Sequence, residues 1–166
     1  MKNEGRVVLS AEALGITMPE YAALLQVRDD IAIGAIVHDP VEDIPDFDDG
    51  DVRKGLNMVI VLNEGPCGTT ACIGGWMHSY IITNTGRNPG GNNCSAFKWA
   101  TTKRSKALGP LFNPLTDLDG EWYTDRNGNQ IDFPYEHIDT DCALQAIDNF
   151  LGTGQPDWVG VLQVAQ

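Results

Sequence analysis

Residues 65–76 read GPCGTTACIGGW, with four glycines, two cysteines and two threonines in twelve positions and a tryptophan at the end. This run constrains the fold more than any other. Two adjacent glycines inside a helix cost about 1 kcal/mol each relative to alanine. A chain that keeps them there implies that another backbone comes close at Gly74-Gly75. The segment therefore predicts a helix from about Thr69 to Thr83, started by Thr69 or Thr70 as N-cap. Ala71, Cys72 and Gly75 would form a strip of small residues that admits a neighbour. Ile73 and Trp76 would fill the flanks.

The same run offers two chemical readings. Cys67 just precedes the predicted helix, where free N–H groups and the helix dipole would stabilise a thiolate or an oxyanion. A base is then required. His78 is eleven residues on, about 16 Å along a helix axis, so it cannot serve. His38 and His137 remain, and YEHIDTD places Asp139 and Asp141 beside His137 as orienters. The candidate catalytic set is Cys67, His137 and Asp139. For metal, Cys67, Cys72, His78 and Cys94 supply the right atoms, but their spacing matches no usual zinc pattern. Cys72 and His78 would also diverge around one helix. No metal and no cofactor are expected.

CGTTACIGGW resembles a motif of small uncharacterised phage and bacterial proteins, Cys-Gly-Thr-x-Ala-Cys-(Ile/Leu)-x-Gly-(Trp/His). KALGPLF (residues 106–112) and FLGTGQPDW (150–158) are similar to later segments of those proteins. The resemblance spans roughly residues 56–158. It implies a phage-borne or mobile-element-type accessory protein, many of which act by binding host proteins, and it brings no established activity.

Around this segment the chain reads as one α+β domain, mainly helical, with about four main helices. Ser10 caps a short turn at Ala11–Leu14 that Gly15 closes. Thr17 and Glu20 form a capping box for a helix that ends near Ile31–Gly34. Residues 10–34 thus form a helical hairpin, too poor in basic residues to be a DNA-reading helix-turn-helix. DPVEDIPDFDDGDVRKG (39–55) holds seven acids with Pro40, Pro45 and Gly50, and reads as an exposed acidic loop. Its glycine is out of register for an EF-hand. LNMVIVL (56–62) reads as a buried strand, with a helical turn as the other option. Ser95 caps a helix over Ala96–Leu108 that carries the cationic cluster KWATTKRSK. Asn127-Gly128 turns a β-hairpin within residues 121–133. A last helix over about Asp141–Leu151 is capped by Thr140 and ended by Gly152.

Charge narrows the partners. Eleven basic against twenty-three acidic residues leave a net charge of −12, a field that repels phosphate backbones and suits a basic protein partner. Asp46, Asp48, Asp49 and Asp51 are the candidate binding surface. No signal-peptide pattern or span of ~18 apolar residues is present, so a cytosolic location with reduced cysteines is expected. The leading expectation is an accessory protein that binds a host or phage protein. The alternatives are a cysteine-dependent hydrolase or transferase using Cys67, and a structural virion component.

Overall fold

Helix α3 (Ile73–Thr85) is the axis of the molecule, and its first six residues, 73–78, are all buried. A helix covered on every side has packing partners all round it. The computed structural model, which describes residues 8–39, 53–58, 60–65, 68–114, 123–124, 130–131, 135 and 138–164, shows what those partners are. Helices α1 (Ala11–Leu14) and α2 (Met18–Ala32) precede a four-stranded sheet. Its strands are β1 (Ile36–His38), β2 (Arg53–Leu56), β3 (Asn63–Gly65) and β4 (Gly68–Ala71), in the order β1-β2-β4-β3. The first three in that order are parallel, and β3 is antiparallel to β4. Helix α3 comes directly after β4.

The chain then runs through a helical turn, α4 (Ala96–Lys98), a π-helical turn over Trp99–Lys103, a short 3-10 turn and α5 (Gly109–Phe112). Strands β5 (Tyr123–Thr124) and β6 (Gln130–Ile131) pair antiparallel, the described part of the expected hairpin. Helices α6 (Thr140–Thr153) and α7 (Trp158–Val164) complete the fold. The Leu9 N–H donates to the Leu151 carbonyl at 2.8 Å, tying the start of the described chain to the end of α6. No described helix is long and apolar enough to cross a membrane.

The mainly helical α+β architecture matches expectation, and several boundaries do not. The predicted helix start at Thr69 is a central strand: Thr69 pairs with Lys54 on one side and Glu64 on the other. β-branched residues fit such a doubly paired position. Cys72, not a threonine, is the N-cap of α3, and its sulfur accepts the Gly75 N–H at 3.4 Å. The run at 56–62 is not a strand. Leu56 ends β2, and the chain then turns across the start of α3. Strand β2 instead occupies RKGL, the end of the predicted acidic loop. The expected helix over 96–108 breaks, because the Arg104 N–H reaches back five residues to the Trp99 carbonyl and Arg104 is extended. Thr101 and Thr102 hydroxyls bond carbonyls four residues back, which loosens a helix. Asp139 rather than Thr140 caps α6, and Gly154 rather than Gly152 ends it at φ 80°.

The close approach at the paired glycines is present. A methyl group on Gly75 would stand 1.5 Å from the Val61 carbonyl oxygen and 2.9 Å from the Ala71 methyl. On Gly74 it would stand 3.0 Å from the Phe112 ring. Backbone cannot retreat as a ring can. Gly75→Ala should therefore destabilise the protein by about 3 kcal/mol or more. Gly74→Ala should stay within ~1 kcal/mol of wild type, because gained helix propensity offsets a small shift of Phe112. Urea denaturation monitored by circular dichroism checks both; equal midpoints for the two variants would contradict the packing.

Candidate functional site at the glycine–cysteine segment

Three parallel strands end side by side at His38, Leu56 and Ala71, and α3 starts one residue beyond the last. The carboxyl ends of such strands are where open α/β sheets place their ligand crevice. Here Asn57, Ile60 and Val61 of the chain itself lie against the strand ends and the start of α3. The Cys72 N–H donates to the Ile60 carbonyl at 2.6 Å, and its thiol lies 3.8 Å from the Val61 carbonyl oxygen as a donor. The Asn57 N–H donates to the Ala71 carbonyl, and its fully buried side-chain amide donates to the Asp39 carbonyl at 2.8 Å. The Thr70 hydroxyl donates to the Asp39 carboxylate. Gly55 leaves room for that carboxylate: a methyl there would meet Asp39 Oδ2 at 2.7 Å.

The setting of Cys72 disfavours its thiolate. Burial pushes its thiol pKa up, outweighing the N–H groups of Gly74 and Gly75 that favour the thiolate. Cys72, Cys94 and Cys142 are all free and buried. Cys142 is pushed up to about 11 by burial, with Asp139 and Asp141 adding to it.

On the helical side of the sheet lies a cluster without a sequence-level signal. Lys54 Nζ is 3.3 Å from Asp30 Oδ2 and 3.1 Å from the Tyr80 oxygen, and stands 5.8 Å from the Trp76 ring centroid. The Tyr80 hydroxyl donates to Asp30, and burial first, then Asp30, holds that phenol protonated well above its usual range. Trp76 Nε1 donates to the Gly55 carbonyl at 2.9 Å. The cluster pins β2, α2 and α3 together. Sequence reasoning misses it because Lys54 falls in a stretch that composition assigns to a loop.

His78 is 4% exposed, and neither ring nitrogen has a hydrogen-bond partner. Burial lowers its pKa against the opposing influence of Asn88, so the ring is neutral beside Trp99, 5.7 Å between centroids. Among the described residues no group of three His, Cys, Asp or Glu side chains converges as a metal site.

Of the predicted catalytic set, Cys67 and His137 lie outside the described residues. Asp139 is described, and one of its carboxylate oxygens accepts the Cys142 N–H at 2.8 Å as the cap of α6. Asp46, Asp48, Asp49 and Asp51 also lie outside the described residues. Comparison of the chain with family models, curated proteins and solved structures returns no match.

The thiol environments give a labelling pattern. In native protein at neutral pH, iodoacetamide should modify Cys72 and Cys142 far more slowly than a free thiol, and denaturation should release both. A Cys67 labelled faster than free cysteine in the same peptide map would favour the hydrolase or transferase reading. Stability depends on the same chemistry. The native Cys142 thiol keeps its proton above the ordinary value of ~8.5, so its contribution is complete below that pH. It is lost as the pH rises towards 11. The wild-type urea midpoint should fall across that window, and Cys142→Ser should flatten the fall.

Proposed function

We propose that the chain is a non-enzymatic accessory protein of the phage or mobile-element type that binds a basic protein partner through its acidic surface. The observation that carries this reading is the excess of acid, twenty-three acidic residues against eleven basic ones. Among the described residues the ion pairs join Arg28 to Asp29 and Asp148, and Lys54 to Asp30. The buried Glu20 is held by backbone and hydroxyl donors, not by a cation. The net charge of −12 therefore acts as an outward field, which speeds encounter with a basic surface and suppresses acidic competitors.

The placement of the described cysteines supports the same reading. Cys72 serves as a helix cap and packing element, and Cys142 lies buried on α6. Asp46, Asp48, Asp49 and Asp51 are the proposed contact residues.

Affinity capture from host lysate tests the proposal. A specific protein should be retained at ~0.1 M salt and released at ~1 M, as the Debye length falls from ~10 to ~3 Å. A chain with all four aspartates changed to asparagine should lose most of that retention. No retained protein at either salt would overturn the proposal, and cofractionation with virus particles would replace it with an assembly role.

A further inference from the structure

A cleft of about 740 Å³ opens between the start of α2, the end of α3 and the π-helical turn. Its walls include Trp99 and Ile81, and three cations line it: Arg87, Lys103 and Arg104. The setting is unusual for a chain with only eleven basic residues. The described residues give none of the three an ion pair.

Glu20 also lines the cleft and offsets one of the three charges, acting electrostatically on Arg104. Its carboxylate accepts the Thr17 N–H at 2.8 Å, the Thr17 hydroxyl at 2.9 Å, the Ser105 N–H at 2.8 Å and the Ser105 hydroxyl. All four donors are neutral. Arg104 keeps a buried Nε–H with no partner, while its guanidinium carbon stands 5.8 Å from the Phe112 ring centroid.

The π-helical turn sets the arrangement. The turn ends the helix at Lys103, and Arg104 after it is extended. Such turns are frequent at functional sites. Trp99 stays in the wall, and Lys103 and Arg104 both line the cleft.

We infer that this cleft is a binding site for a small phosphomonoester. Three cations and one carboxylate leave two positive charges, which match a phosphate monoester that is close to a dianion at pH 7. Arginine forks suit its oxygens in bidentate fashion. The volume exceeds what a bare ion fills and falls within the ~300–1,000 Å³ of small-molecule sites. Pro19 and Pro89, which also line the cleft and are less buried than Trp99 and Ile81, give the organic part an apolar edge. The overall charge of −12 repels a polyanion far more than a dianion, so the occupant is a small molecule and not a nucleic acid.

Isothermal titration calorimetry tests this with AMP, glucose 6-phosphate and inorganic phosphate, against adenosine, glucose and citrate. At least one phosphate ester should bind with Kd below ~1 mM, and its unphosphorylated counterpart should not. Lys103→Ala and Arg87→Ala, both at exposed positions, should each weaken binding about tenfold. Arg104→Lys, which keeps charge and loses the fork, should do the same with an unchanged circular dichroism spectrum. Affinity should also fall as the pH drops through the phosphate's second ionisation near ~6. Absence of heat from every phosphate probe, binding indifferent to Lys103→Ala and Arg87→Ala, or citrate bound more tightly than any phosphate would each overturn the assignment.

Discussion

The contact between the Val61 carbonyl and Gly75 sets the position of everything around α3. Because Gly75 has no side chain, the turn after β2 can lie across the first turn of the helix. That turn then delivers Ile60 to the Cys72 N–H and Asn57 to both Ala71 and Asp39. The strand ends, the helix start and the intervening turn are therefore one hydrogen-bonded unit. With the turn in place, the first six residues of α3 are buried all round, and α2, the sheet and α5 pack against its different sides.

The polar groups inside this frame divide by role. Asn57, Cys72 and Asp139 satisfy backbone donors and acceptors at element ends, and the Asp39 carboxylate accepts the Thr70 hydroxyl. Lys54, Asp30 and Tyr80 form a second unit that locks sheet to helices. Glu20 is different in reach. It completes the capping box of α2 and also holds Ser105, 85 residues away in sequence. This double duty fixes the loop after the π-helical turn and keeps a carboxylate beside the neighbouring guanidinium.

Much of the N-terminal half was legible from local chemistry. The Ser10 cap with Gly15, the Thr17–Glu20 box and the close approach at Gly74-Gly75 all follow from residue types at fixed spacing. The sheet was not legible. Its strands are three or four residues long, and β2 is RKGL, whose composition carries no strand signal. Only pairing with β1 and β4 makes it a strand, and that is a non-local fact. The same non-locality moved the start of α3 from Thr69 to Cys72. The cleft was hidden for a related reason. KWATTKRSK reads as a solvated helix face, and only the π-helical turn, together with Thr17 and Arg87 from distant segments, gathers its cations around a cavity.

The bond from Leu9 to Leu151 joins positions 142 residues apart. It closes the described chain into a ring held by a single hydrogen bond and the apolar packing beside it. Nicking near Leu9 would open that clasp alone, because α6 keeps its own tie to α2 through Arg28 and Asp148.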